Sequence, residues 1–340
     1  MSLPILPVGK LPISLLQQVI KEAPQLDERI LLGPGIGMDC AVIDLGSRCL
    51  VIKSDPITFA SDQIGWYAVQ INANDIATTG ARPQWFSCTL LLPEGKTTPA
   101  DVLEISRQIN QACRDLGISV VGGHTEITYN LDRPLVLGTL IGEVEKERLV
   151  TPRGAQPGDV ILLTKGVPVE AVSILAREFA GPLRAILSEE EIQTAAGYLT
   201  NPGIGITRDA QIALRAGRVN AMHDPTEGGL AAALWELADA SATSLVIELE
   251  TVHILPLGAR ICQFFKLDPL ATIASGALLL TVPESDASAI ISALQAEGIH
   301  CAAIGRVHPG PSAVHEIVEG RTSLLKRPDR DDIGRVYAQE

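Results

Sequence analysis

Strand-length apolar runs and apolar stripes at helical spacing alternate along this chain of 340 residues, but not in the strict strand-helix-strand order that builds a doubly wound parallel sheet. The pattern predicts an α/β chain of the α+β kind, with mixed sheets packed on helices. A first helix is expected from Ile13 to about Lys21, where Leu15, Leu16, Val19 and Ile20 share a face. Residues 41–43 and 49–52 read as a hairpin turning at Leu45-Gly46-Ser47, with Asp39 and Asp55 at the outer ends of its strands. From Gln63 to Thr79 the positions Ile64, Tyr67, Ala68, Ile71 and Ile76 keep helical spacing up to a stop at Gly80. That helix carries the unusual polar set Asn72, Asn74 and Asp75. Thr98-Pro99 opens another helix, through Val102, Ile105, Ile109, Cys113 and Leu116, which Gly117 closes. Residues 88–92, 118–121 and 135–141 read as strands.

The stretch 146–159, centred on Thr151-Pro152-Arg153-Gly154-Ala155-Gln156-Pro157-Gly158, has the composition of a linker and divides the chain into residues 1–150 and 151–340. Beyond it come a buried strand at 160–164, a helix bearing Val172, Leu175, Ala176 and Phe179, and a helix entered through the capping box of Ser188 and Glu191. Strands at 245–247, 276–282 and 302–307 flank helices near 226–239 and 285–297. The expected architecture is an N-terminal mixed sheet packed on helices followed by a C-terminal α/β sandwich. No repeat of solenoid or propeller length is present.

Charge narrows the possible partners. Lys and Arg number 27 against 40 Asp and Glu, a net charge of −13, and no basic tail or stripe interrupts that balance, which argues against nucleic acid. The longest charge-free run, 192–207, contains Pro202 and three glycines and is too short to span a membrane. Residues 1–10 lack a basic region leading an apolar stretch, so no signal peptide is expected. The six cysteines, Cys40, Cys49, Cys88, Cys113, Cys262 and Cys301, form no Cys-x-x-Cys pair and suit reduced, buried thiols in a cytoplasmic protein.

Asp39, Asp55, Asp75 and Asp224 stand beside small or glycine neighbours at the ends of predicted elements, where sites collect. Carboxylates gathered from separate segments suit Mg²⁺, which takes oxygen ligands and commonly shares them with substrate phosphates. A turn or cap role is the alternative for each taken alone. Asp224-Pro225-Thr226-Glu227 reads as a complete capping box, with Asp at the N-cap, Pro at the first helical position and Glu at the third. Gly228 and Gly229 would then lie inside the helix at about 1 kcal/mol each relative to alanine. Close approach of a backbone or a ligand would justify them, and a bare helix start offers amides to a phosphate. Gly122-Gly123-His124-Thr125-Glu126, read as a turn, places His124 and Glu126 beside bare backbone, and makes His124 the best placed of the six histidines for proton transfer. Gly33-Pro34-Gly35-Ile36-Gly37 is an amide-rich turn that matches neither a Walker loop nor a dinucleotide fingerprint. Lys53, Arg82 and Lys165 lie near these motifs and could neutralise phosphates. Neither Gly-x-Ser-x-Gly nor His-Glu-x-x-His occurs, which leaves phosphate handling.

In order, these segments resemble the superfamily of aminoimidazole ribonucleotide (AIR) synthase, whose other members include HypE-like hydrogenase-maturation proteins, selenophosphate synthetase, thiamine-monophosphate kinase and formylglycinamidine ribonucleotide synthetase. Gly37-Met38-Asp39-Cys40-Ala41-Val42 stands for that family's Gly-Asp-Asp-Ala-Ala-Val, and Lys53-Ser54-Asp55 for its Thr-Thr-Asp. Asn74-Asp75-Ile76-Ala77 and Gly80-Ala81-Arg82-Pro83 stand for Asn-Asp-Leu-Ala and Gly-Ala-x-Pro. Asp224-Pro225-Thr226-Glu227-Gly228-Gly229-Leu230 and Ala274-Ser275-Gly276-Ala277-Leu278-Leu279 look most like HypE. The resemblance implies a homodimer formed through the N-terminal sheet and Mg²⁺-ATP in a cleft near the junction of two domains. On that analogy Asp39, Asp55, Asp75 and Asp224 orient metal and phosphate. Gly35, Gly37, Lys53, Asn74, Gly122, Gly123, Thr125, Gly228 and Gly229 are the candidate nucleotide contacts, and His124, Glu126 and Asp224 the candidate catalytic groups.

Family members use ATP to phosphorylate an amide or carbonyl oxygen, or phosphorylate a substrate directly. The expected function is therefore Mg²⁺-ATP-dependent activation of an acceptor, small-molecule or protein-borne, with a non-catalytic scaffold and a thiamine-phosphate-type kinase as alternatives. Four departures separate the chain from particular members. It ends in Glu340 where HypE has a terminal cysteine, and residues 1–36 lack the cysteine of selenophosphate synthetase. His124 replaces an aspartate of HypE, and Met38 replaces an acid of the first motif.

Overall fold

The computed structural model describes residue 6 and residues 11–57 and 62–337. The readings of the chain start and of its last three residues lie outside the described residues. The first half contains α1 (Ile13–Lys21), β1 (Ile30–Leu32), β2 (Ala41–Asp44), β3 (Arg48–Ile57), α2 (Ile64–Thr78), β4 (Arg82–Pro93), α3 (Pro99–Leu116), β5 (Ser119–Thr128) and β6 (Leu135–Glu145). Its six strands form one sheet in the order β1-β2-β3-β6-β4-β5, antiparallel except for the β4–β5 pair. The hairpin turns where Asp44 Oδ1 accepts the Gly46 N–H at 2.8 Å, with Gly46 at φ 99°. β3 runs beyond the hairpin because β6 pairs along its whole length, so Asp55 lies within a strand, opposite Gly138, rather than at its end.

Nearly every residue of α2 is buried. It packs on β3 and β6 and against α3, and it reaches elements of the second half. A helix covered on all sides needs no polar stripe, so the polar residues it does carry are the ones that interact. Thr98 and Asp101 cap α3 reciprocally, and Gly117 at φ 67° ends it, as the sequence predicts.

Gly122-Gly123 forms no turn. It continues β5 along the parallel pairing with β4, and a Cβ on Gly123 would come within 2.4 Å of the Cys88 carbonyl oxygen. β5 is the edge of the sheet, and its side chains are exposed.

The second half contains β7 (Val160–Thr164), α4 (Val169–Glu178), α5 (Ala180–Leu183), α6 (Glu189–Ala196), α7 (Thr207–Ala216), β8 (Ala221–His223), α8 (Gly229–Ser241), β9 (Ser244–Glu248), α9 (Pro256–Phe265), β10 (Leu279–Val282), α10 (Glu284–Ala296), β11 (Cys301–His308), β12 (Ala313–Val318), β13 (Arg321–Leu324) and α11 (Gly334–Tyr337). Seven strands order as β13-β12-β9-β11-β7-β10-β8, with β12–β9 the parallel pair. The box of Ser188 and Glu191 caps α6 as expected.

The box at Asp224 does not form. α8 starts at Gly229, after Gly228 at φ 83°, and residues 224–227 are loop. Tertiary contacts override the local pattern. Asp331 Oδ2 accepts the Gly228 N–H at 2.6 Å, and the Leu270 and Thr272 carbonyls press on Gly229, where a Cβ would meet them at 2.5 and 2.7 Å. The strand expected at 276–282 begins only at Leu279.

The two halves share apolar packing, since Val169, Leu199, Ile204 and Leu255 join the core beneath the first sheet. All six cysteines are free, five buried and Cys88 half-buried. Among the described residues no helix is long and apolar enough to cross a membrane.

Candidate metal and phosphate site

Lys53 and Asp55 are two apart on β3 and so share a face of the sheet, the face covered by α2. Lys53 Nζ lies 2.9 Å from Asp75 Oδ2 on that helix and 3.6 Å from Asp55 Oδ2. The Asp75 side chain is 3% exposed and that of Asp55 37%, so the row runs from the interior to the mouth of the site. Burial opposes the charge on Lys53, but Asp75, Asp55 and Asp39 outweigh it and hold the ammonium well above its ordinary range.

From the second half, β8 delivers His223 and the following residue, Asp224. Asp39, His223 and Asp224 bring one ligand-type atom each within 4.8 Å of one another. His223 Nδ1 is 2.8 Å from Asp39 Oδ2, and its Nε2 is 2.8 Å from Glu236 Oε2 on α8. Burial works against protonation of this ring, yet carboxylates on both nitrogens raise its pKa well above 6.5. The two carboxylates, each 2.8 Å from a ring nitrogen, favour the charged ring, and His223 in turn positions both acids.

Asp224 is 1% exposed, and among the described residues neither of its carboxylate oxygens has a hydrogen-bond partner of sound geometry, although the Asp75 carboxyl lies against it. Burial first, then Asp39, pushes it up to about 6. Asp75 is raised as well, by burial and by Asp224, Asp39 and Asp55 against the pull of Lys53. Five carboxylates, those of Asp39, Asp55, Asp75, Asp224 and Glu236, thus share two cations. Such a donor set suits a hard divalent ion, which prefers carboxylate oxygen, and the Asp224 carboxylate is where it fits.

The structure gathers the four sequence-predicted aspartates and Lys53, and it reassigns several of the other candidates. Asn74 faces no ligand space: its Nδ2 donates to the Ile204 carbonyl at 2.7 Å, and its Oδ1 accepts the Ile206 N–H at 2.9 Å. It clamps α2 to the second half beside Asp75. Lys165 is not free to meet phosphate, because it is buried with Nζ 3.3 Å from Asp209 Oδ1 and 2.6 Å from the Gly205 carbonyl oxygen. Gly37, at φ 68°, gives close passage to the Glu236 carbonyl, 3.0 Å from where a Cβ would stand, and a Cβ on Gly35 would meet Met38. Arg82 is exposed at the start of β4.

His124 and Glu126 sit 3.3 Å apart on the exposed face of β5, with Gly122, Gly123 and Thr125 on the same strand. Among the described residues, no contact joins them to the acids. The histidine that meets the acids is His223. Its only sequence signal was its position directly before Asp224 at the end of a short apolar run.

Residues 37–144 match the family model described as AIR synthase related protein, N-terminal domain, and residues 156–317 that of the C-terminal domain. Carbamoyl dehydratase HypE of Rhodobacter capsulatus is 31% identical over 278 residues, 79% of this chain and 78% of that one. The crystal structure of hydrogenase maturation protein HypE in complex with ATP covers 94% of this chain and 91% of its own, at 25% identity and a TM-score of 0.71. AaThiL complexed with AMPPCP and TMP shares the fold, with a TM-score of 0.70 at 20% identity over 94% of each chain.

Proposed function

The chain belongs to the AIR synthase-related family and has the two-sheet α/β fold of its HypE-like members, and from that premise we propose that it is a Mg²⁺- and ATP-dependent enzyme that phosphorylates an amide or carbonyl oxygen of its acceptor. The observation that carries this reading is the buried carboxylate of Asp224, packed against Asp39 and Asp75 near Lys53, a cluster short of cations in a chain related to an ATP-bound protein.

Asp39 and Asp224 would hold the ion, with Asp75 behind them and Asp55 at the mouth. A bound divalent ion would neutralise phosphate charge during transfer. Lys53 fixes Asp75 and Asp55 and adds positive charge to the same face. His223 holds Asp39 and Glu236 apart and in place. Gly228 and Gly229 present bare backbone next to Asp224, and Gly35 and Gly37 do so next to Asp39, as the nucleotide-facing loops. Phosphorylating an amide oxygen makes it a leaving group, so dehydration follows on loss of phosphate.

We place dimerisation on the open edge of β5, where Val120, Val121 and Ile127 are exposed and, among the described residues, the strand is unpaired on one side. His124, Glu126, Gly122, Gly123 and Thr125 would then act across that edge. The domain division at residues 1–150 and 151–340 and a cytoplasmic location belong to the same reading.

A non-catalytic scaffold is the second reading, favoured by Met38 where the family pattern has an acid. ADP release with Mg²⁺-ATP and either S-carbamoyl-cysteine or thiamine monophosphate separates these possibilities. The proposal expects release that depends on the amide and is lost in Asp224→Asn. Release only with thiamine monophosphate indicates the kinase, and nucleotide binding with no release under any condition indicates the scaffold.

A further inference from the structure

Residues 203–206, which lead into α7, form a strap gripped from both sides. The Lys165 ammonium, at the end of β7, donates to the Gly205 carbonyl at 2.6 Å and to the Gly203 carbonyl at 3.3 Å. The carbonyl between them, that of Ile204, accepts from Asn74 on α2, and Asn74 Oδ1 takes the Ile206 N–H. The Gly203 and Ile204 amides donate to the Tyr198 and Leu199 carbonyls, each at 3.2 Å. There is no slack around the strap. A Cβ on Gly276 would come within 2.8 Å of the Gly203 carbonyl oxygen, and one on Gly205 within 2.7 Å of Gln70 Oε1 on α2.

Lys165 is itself tied to the strands that deliver Asp224. The third acceptor of its ammonium, at 3.3 Å, is Asp209 Oδ1, and Asp209 Oδ2 accepts the Thr164 hydroxyl at 2.8 Å. The Thr164 N–H donates to the Leu278 carbonyl, and Thr164 Oγ1 accepts the Leu278 N–H, both at 3.0 Å. The next residue, Leu279, lies opposite His223 in the pairing of β10 with β8, and Asp224 follows His223. On the far side of the strap Asn74 directly precedes Asp75. Hydrogen bonds and paired strands thus run unbroken from Asp224 to Asp75. Apolar packing joins the two halves without fixing a register, whereas directional bonds to successive carbonyls fix one. We propose that Lys165 is a positioning residue for the acid cluster: by holding residues 203–206 it sets the place of Asn74, and so of Asp75, relative to Asp224. Its three protons are committed to the protein, so it acts through the strap and not on a ligand. This inference rests on the reading of the acids as a divalent-ion site and adds the residue that holds their two halves in register.

Lys165→Met alone leaves the Asp209 carboxylate buried and uncompensated, so the test uses Lys165→Met combined with Asp209→Leu, because apolar replacement of a whole buried ion pair is often near neutral in stability. Mn²⁺ binding to the full chain without nucleotide, read from the electron paramagnetic resonance signal of the free ion, probes the carboxylates directly. The paired variant should bind Mn²⁺ about fivefold more weakly or worse. Adding Asn74→Ala should weaken binding little further than the larger of the two losses, since both changes release the same strap. Val314→Ala, a truncation of a fully buried side chain on β12 outside this path, should keep wild-type affinity, which a general softening of the core would lower. Wild-type Mn²⁺ affinity in the paired variant, losses that multiply with Asn74→Ala, or an equal loss in Val314→Ala overturns the inference. Calorimetric titration with Mg²⁺-AMPPNP separates it from the function proposed above. The expected Mn²⁺ losses without AMPPNP binding to wild type support the positioning role and remove the ATP-dependent reading. Unchanged Mn²⁺ affinity in the paired variant, with AMPPNP bound by wild type, overturns the positioning role and leaves that reading standing. Wild type that binds no Mn²⁺ overturns both.

Discussion

Lys53 on β3 and Asp75 on α2 meet at 2.9 Å, and that ion pair joins the first sheet to the helix between the two halves. It is also the point where the acid cluster receives one of its two positive charges.

Lys53→Met leaves Asp75 buried next to Asp224 and Asp39 with no ammonium to offset them. Removing one partner of a buried pair typically costs about 3–5 kcal/mol. Urea denaturation of the ligand-free variant should show a loss of that order, and Mg²⁺ should recover part of it. A loss below about 1 kcal/mol, the range of surface pairs, would show that the pair contributes little.

The pH dependence of His223 has a definite sign. Its folded pKa is raised above 6.5, so its contribution is full below that ordinary value and fades as pH climbs through the folded one. The stability gap between wild type and His223→Gln should therefore be widest below about pH 6.5 and narrow as pH rises through the folded value. Chemical denaturation at several pH values measures it, and a gap that widens with pH would contradict the charged-ring assignment.

Asp224 carries the opposite sign. Its carboxyl is moved from 3.8 to about 6, so ionising it in the fold costs stability above that range, and the cost is absent below about pH 4. Asp224→Asn should stabilise the metal-free protein at neutral pH by up to about 3 kcal/mol and abolish Mg²⁺-dependent turnover. Paired melts at low and neutral pH test the first effect, and ADP release tests the second. A less stable variant at neutral pH would count against a site held under charge strain.

Asn74→Ala strips partners from the Ile204 carbonyl and the Ile206 N–H, both bonded to its amide. At about 1–3 kcal/mol for each bared group, the variant should lose several kcal/mol in urea. Faster exchange of the Ile206 amide should accompany the loss. Unchanged exchange at that amide would refute the clamp.

Much of the fold was legible because it rests on local signals. The capped helix at Thr98, the glycine stops at Gly80 and Gly117 and the hairpin turn at Gly46 all depend on nearby residues. Asp39, Asp55, Asp75 and Asp224 were legible by residue type and neighbours. What stayed hidden depended on distant contacts. Asp224 has a complete local capping pattern, yet Asp331 supplies the cap and the carbonyls at 270 and 272 delay the helix. The glycine pair at 122–123 looks like a turn until β4 pairs with it. His223 belongs to no motif, and only the fold places Asp39 and Glu236 on its two ring nitrogens.

Thermal unfolding of wild type and Asp224→Asn with Mg²⁺ alone, ATP alone and both together tests the central assignment most directly. Ligand that binds only the native state raises stability as RT ln(1 + [L]/Kd). Wild type should gain most when both are present, and Asp224→Asn should lose that metal-dependent gain. Equal stabilisation by ATP with and without Mg²⁺, or an undiminished Mg²⁺-dependent gain in Asp224→Asn, would contradict the assignment of these acids to a metal-bound nucleotide.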